Sequence, residues 1–254
     1  MADLAIITPT RGRPERFAEM CRAAFDLAEG SIEIYGGIDD DDDVAAYLSA
    51  MRPSVGGTVV LVPGPRHSLS AWTNHLAEMA LAGSWLTQDG DAWVVDNEIP
   101  DPPRYLASLG DDHRPRTPAW DRLLIDAIEE RGGSGFAYGN DLAQGWRLPT
   151  AWVVSADIVR AVGWLMLPVC QHMYVDNATL ALGEALDRIT YVPGVIIEHL
   201  HPAVGKAAMD ASYAESNTAE RYEADRLAFE AWRDDEGGGL RGDVWRVKLH
   251  EEIP

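Results

Sequence analysis

Asp111, Asp112 and His113 stand side by side in LGDDHRPRTPAWD (109–121), after an apolar run and before a turn rich in arginine and proline. Two carboxylates and an imidazole could hold magnesium or manganese, ions that keep part of their coordination shell for substrate phosphates. Further along, IIEHLHP (196–202) sets His199 and His201 two residues apart, which on an extended strand puts them on one face. Asp176, in HMYVDNATL (172–180), opens a helical stretch, where it could cap the helix or act as a general base. Each group has a plain alternative. With 41 acidic residues in the chain, an acidic pair is cheap to find by chance, and paired histidines can be structural.

Basic and polar residues follow the early apolar runs. PTRGRP (9–14) brings Thr8, Pro9, Thr10, Arg11 and Arg13 to the end of a first strand, where a turn before a helix N-terminus docks anions. GIDDDDD (37–43) ends a second strand. Its spacing fails the calcium-loop template, because Val44 stands at the sixth position and Ala50 at the twelfth. A solvated acidic loop accounts for most of the five aspartates, although Asp39 or Asp40, nearest the strand, could accept hydrogen bonds from a nucleotide base. GPRHSLSAWTN (64–74) offers Arg66 in a turn and Asn74 in a helix, either of which could serve a diphosphate or a ribose. GKAAMD (205–210) could form part of a lid, with Lys206 reaching a phosphate.

The elements needed to position these residues alternate. DLAIIT, SIEIYGGI and GGTVVLV read as strands, each followed by a helical stretch, which predicts an α/β sheet with mostly parallel strands. The segment 84–104 could be a hairpin or an inserted loop. ITYVPGVIIEHLHP gives two short strands, and Asn217 with Glu220 suggests a capping box opening a last helix through Trp232. GGG at 237–239 then marks a flexible tail. The expected organisation is one domain over 1–233 with a tail over 234–254.

Composition narrows the function classes. The net charge of −20 repels nucleic acid phosphates at long range, so an anionic small substrate would need concentrated local positive charge. No stretch approaches eighteen consecutive apolar residues, and the N-terminal run lacks a basic leader, so no membrane association is expected. Cys21 and Cys170 make no zinc or redox pattern, and a reducing cytoplasm is the expected compartment. Phosphate-loop, dinucleotide, nucleophile-elbow and H-E-x-x-H signatures are all missing from the sequence.

Taken in order, PTRGR, GIDD, Arg66…Asn74, LGDDHRPRTPAWD, YVDN and EHLHP resemble a GT-A-fold glycosyltransferase, similar to family 2 enzymes and especially to phage-borne members. The resemblance covers roughly residues 4 to 213 and implies a Rossmann-like, mostly parallel mixed sheet flanked by helices. It further implies a metal-dependent, hexosyltransferase-like transfer, by inversion, from a nucleotide-sugar donor, UDP-sugars first among them. Thr8 to Arg13 and Asp39 would then hold the donor nucleotide. Asp112, with Asp111 nearby, and His199 would bind Mn2+ or Mg2+, and Asp176 would be the base. Whether Asp111 or His113 assists the metal is open. The acceptor hydroxyl could lie on a protein, a glycan or a modified DNA base, with the acidic charge leaning against duplex DNA. A non-catalytic nucleotide-sugar or carbohydrate-binding domain on the same scaffold is the alternative. Trp120, Trp146 and Trp152 could stack on sugars or pack in the core.

Overall fold

The computed structural model describes residues 3–52, 56–83, 93–94 and 102–252. Its strands are β1 (Leu4–Thr10), β2 (Ile32–Asp39), β3 (Thr58–Gly64), β4 (Trp93–Val94), β5 (Tyr105–Ser108), β6 (His113–Pro115), β7 (Phe136–Asn140), β8 (Trp152–Ser155) and β9 (Ile189–His199). The helices are α1 (Pro14–Leu27), α2 (Val44–Ala50), α3 (Leu69–Ala82), α4 (Trp120–Glu129), α5 (Ala156–Val162), α6 (Val175–Leu186), α7 (Ala211–Ser216), α8 (Ala219–Asp234) and α9 (Gly239–Glu252). Most of the 84–104 insert lies outside the described residues.

The strands lie in the order β4-β3-β2-β1-β5-β8-β7-β9-β6. β1, β2, β3 and β5 run parallel, β8 runs against both β5 and β7, and β9 is parallel to β7. Interior strands covered on both faces must be largely apolar on both, which is why β1 and β3 read as continuous hydrophobic runs, while β2 carries the buried Glu33. Leu4 and Ile6 face the core beneath α1, α2 and α4, while Ala5 and Ile7 face the core beneath α3, α5 and α6. Helices therefore cover both faces, in three layers. Gly36 and Gly37 permit this close packing within β2. A Cβ at Gly36 would stand 2.7 Å from the Phe17 ring on α1, and one at Gly37 would stand 2.9 Å from Trp72 on α3.

Local signals place the helix starts. Ser68 caps α3 by accepting from Ala71 N. The last segment begins one residue later than its expected capping box, because Thr218, not Asn217, caps α8. The residues 189–199 form one strand with an irregular register near Asn140 rather than two short strands.

The expected tail is a correction. Residues 239–252 form α9, which packs against α5, α6 and α8. Val247 is buried, and the indole of Trp232 donates to the buried Asp243 carboxylate at 2.8 Å. The glycines of 237–239 thus make a tight helix–helix connection. Gly239 has φ +52°, and a Cβ there would strike the Trp232 carbonyl. No described helix is long and apolar enough to cross a membrane.

Replacing Asp243 by alanine leaves a buried indole N–H without an acceptor and is expected to destabilise the fold by about 1–3 kcal/mol. Urea denaturation checks this. A variant as stable as the parent would mean that α9 is not part of the folded core.

Candidate active site

A sheet whose order runs β2-β1-β5 from two parallel neighbours opens a crevice at the carboxyl ends of those strands. The cleft there has a volume of about 1210 Å³, room for more than one small substrate. Pro9, Thr10, Arg11, Arg13, Asp39, Arg66, Asp111, Asp112, Asp176 and His199 all line it. The sequence-level candidates therefore converge, with three exceptions. Thr8 is fully buried one residue below the turn and does not line the cleft. Asn74 spends its amide on the backbone of the next layer, accepting from Leu165 N and Met166 N and donating to Met166 O at 2.8 Å. Lys206 pairs with Glu198 at 3.0 Å and does not line the cleft.

The turn after β1 is stapled to the turn after β5. Thr10 Oγ1 donates to Asp111 Oδ2 at 2.7 Å, and Arg13 Nη1 donates to Asp111 Oδ1 at 3.1 Å. Asp111 therefore faces the arginine loop and not the Asp112–His199 cluster. Burial raises its pKa to about 6 against the pull of Arg13. Arg114, itself buried, fixes the backbone of this turn by donating to the carbonyls of Asp111 and His113, both at 2.8 Å.

The aspartate run is less solvated than its composition suggests. Asp39 accepts from the Trp72 indole and from Arg11, each at 2.7 Å. Asp41 pairs with Arg11, Asp42 accepts from Tyr47 Oη at 2.9 Å, and Asp43 caps α2. These carboxylates hold the arginine turn in place.

Asp112 meets the end of β9. The antiparallel pairing of β6 with β9 sets His113 opposite His199, and Leu200 N donates to Asp112 O at 2.9 Å. Asp112 Oδ2 lies 3.3 Å from His199 Nε2, and the rings of His113 and His199 stack with centroids 4.2 Å apart. Burial opposes ionisation of Asp112, yet the hydrogen bond from His199 and the charges of the neighbouring groups hold it below the usual carboxylate range. Burial likewise opposes a charged His199, and Asp112 overrides it, raising the imidazole above its ordinary value.

Ligand atoms of Asp112, His113 and His199 lie within 4.8 Å of one another and could hold a metal ion. The donor chemistry fits manganese, with a hard oxygen and imidazole nitrogen, once His199 gives up its proton. Within the group the fit is uneven. His113 Nδ1 accepts from Gly110 N at 2.9 Å, which leaves the hydrogen of the neutral ring on Nε2. Burial lowers the pKa of His113 to about 3. His113 can ligate only by giving up the Gly110 bond, and otherwise it supports the His199 ring.

Asp176 sits in the first turn of α6, but it is not the cap. Tyr174 occupies that position, and no side chain caps the helix. Burial, with the nearby charges of Asp141 and Asp112, raises the Asp176 pKa to about 7 against the influence of His199.

Three features escaped the sequence reading. Asp141, directly after β7, organises the loop 141–150 by accepting from Ala143, Gln144 and Gly145 N and from Thr150 Oγ1. Its Oδ2 also lies 4.0 Å from His199 Nδ1, behind the imidazole. An acid at the end of a parallel strand was the available signal. That loop carries Trp146, 70% exposed, whereas Trp120 and Trp152 are core residues. The second is α7, which lies along the cleft. Asp210 takes Arg13 through two bonds of 2.8 and 2.7 Å, Glu215 pairs with Arg66, and Tyr213 Oη contacts His201 Nε2 at 2.6 Å. The third is His172 with Arg221, both lining the cleft and close enough that the charge of Arg221 acts on the His172 ring.

No family model matches the sequence, and no curated protein sequence matches it. Solved structures do resemble its fold. TarS of S. aureus superposes with a TM-score of 0.56 at 9% identity, covering 98% of this chain and 43% of that one. The mannosyltransferase PcManGT from Pyrobaculum calidifontis, in complex with GDP-Man and Mn2+, gives 0.52 at 11% identity, covering 98% of this chain and 74% of that one. Glucosyl-3-phosphoglycerate synthase from Mycobacterium tuberculosis, with Mn2+, UDP and glucosyl-3-phosphoglycerate, gives 0.54 at 13%, covering 93% and 82%. The chain thus spans less than half the length of TarS. These neighbours are GT-A-type glycosyltransferases, and the α/β architecture described above is the GT-A fold.

With UDP present, Asp112→Asn is expected to weaken Mn2+ binding about tenfold or more. Asp141→Asn, which removes a charge behind the His199 ring, should weaken it by about tenfold. Electron paramagnetic resonance of free Mn2+ measures both. Unchanged affinity in Asp112→Asn would remove that residue from the metal site.

Proposed function

We propose that this protein is a metal-dependent glycosyltransferase that moves a sugar from a nucleotide-diphosphate donor to an acceptor hydroxyl with inversion. The observation that carries the reading is the convergence of Asp112, His199 and Asp176 with Arg11, Arg13 and Arg66 in one cleft at the sheet's switch point. Fold neighbours captured with Mn2+ and UDP or GDP-Man support it. Asp112 and His199 hold Mn2+, or Mg2+, in this reading. When bound, the ion supplies Lewis-acid neutralisation of the charge that grows on the departing diphosphate.

The chain's own residues do the rest. Arg13 and Arg66 present guanidinium groups to the diphosphate, which competes for them with Asp210 and Glu215. Asp39, Pro9 and Thr10 shape the nucleotide end of the cleft. Asp176 takes the proton from the acceptor hydroxyl as its oxygen bonds to the anomeric carbon. The bond from that carbon to the diphosphate oxygen breaks in the same step, and the electron pair leaves with the nucleotide. UDP-sugars are the first donors to try. We place the protein in the cytoplasm, among family 2 and phage-borne enzymes, on the motifs read from its sequence.

A thermal-shift screen of nucleotide sugars, with and without Mn2+, is expected to show one donor that stabilises the protein only with the ion. For that donor, Asp176→Asn should lower kcat by about 100-fold or more while leaving donor affinity unchanged. The carboxylate is the active base, so kcat/KM should fall as pH drops through a limb at or below about 7. Donor binding without any turnover in the parent protein would favour the non-catalytic binding domain instead.

A further inference from the structure

Four arginines line the cleft, and three of them have carboxylate partners. Arg11 pairs with Asp39 and Asp41, Arg13 with Asp111 and Asp210, and Arg66 with Glu215. Arg221 has none among the described residues. Only its backbone N–H is engaged, by the capping Thr218 hydroxyl at 3.2 Å. In a chain with 41 acidic and 21 basic side chains, a cation left unpaired inside the cleft calls for an anionic partner from outside the chain.

The fold fixes where that cation sits. Asp225, only 2% exposed, accepts from the backbone N–H groups of Gln171, His172 and Met173 at 2.7–2.8 Å. This clamps α8 onto the segment that leads directly into α6 and Asp176. Arg221 lies one turn before Asp225, and residues four apart share a helix face. Its guanidinium therefore belongs to the face of α8 that meets His172, in the segment that leads into α6 and the proposed base. Asn217 and His172 line the cleft as well. Burial and the charge of Arg221 keep the His172 ring neutral, with its pKa lowered to about 4, so it adds no competing positive charge of its own.

We propose that Arg221, with Asn217 and His172 beside it, binds an anionic group on the acceptor, so that the hydroxyl receiving the sugar belongs to a phosphorylated or carboxylated molecule. The proposal rests on the glycosyltransferase reading and names its acceptor class. A guanidinium presents a planar fork of donors that matches the oxygens of either anion, which lysine does not reproduce.

Calorimetry on the full chain saturated with Mn2+ and UDP tests it, with glycerol 3-phosphate, glycerate and glycerol as probes. At least one charged probe should bind about tenfold or more tightly than glycerol, and which one does distinguishes phosphate from carboxylate. Arg221→Gln should abolish that preference, and Arg221→Lys should retain part of it. UDP–Mn2+ affinity and thermal stability should be unchanged in both variants. The proposal is overturned if neither charged probe outbinds glycerol, if the preference survives Arg221→Gln, or if that variant weakens UDP–Mn2+ binding, which would assign Arg221 to the donor. Failure of the parent protein to bind UDP–Mn2+ at all is a separate pattern. It overturns the glycosyltransferase reading and this proposal with it.

Discussion

Four carboxylates, Asp111, Asp112, Asp141 and Asp176, are held close to one another at the carboxyl end of the sheet, largely out of water. Such a cluster is stable only if positive charge is supplied to it. The fold supplies it unequally. Asp111 is answered by Arg13, and Asp141 by a ring of backbone amides. Asp112 is answered chiefly by the His199 imidazole from β9, and Asp176 is left to sit near neutrality. The contact between Asp112 and His199 is therefore where the site's charge balance is most open to an added cation. The rest of the site is arranged around that contact.

Backbone pairing makes the contact. β6 is only three residues long, yet its antiparallel register with β9 brings the acidic turn to a histidine far along the chain. Arg114 and the stacked His113 ring then hold the turn and the imidazole in place. On the opposite wall, α7 sets Asp210 and Glu215 against the arginines of the cleft. Those guanidinium groups are thus charge-balanced within the chain, and the diphosphate of the proposed donor would exchange with carboxylates already in place.

Much of this architecture was legible in the sequence because buried parallel strands write themselves as unbroken apolar runs, and because turns at their ends collect polar residues. That logic found the arginine turn, the acidic motif and His199. It failed where a residue's role depends on a distant neighbour. Asn74 looks like any polar residue within a helix until the 165–166 backbone is brought against it. Asp141 gains its place behind His199 only through the β7–β9 pairing. The glycines at 237–239 suggested a tail because their composition does not reveal the apolar face that α9 buries. Asp176 read most naturally as a helix cap, and only the fold showed that it serves no capping bond.

The most direct measurement is the anomalous difference map from crystals grown with Mn2+ and UDP, collected at the manganese edge. A single strong peak within bonding distance of an Asp112 oxygen and His199 Nε2, next to the UDP phosphates, is the result this account predicts. A peak bound elsewhere, with Asp112 and His199 still joined to each other as an ion pair, contradicts it.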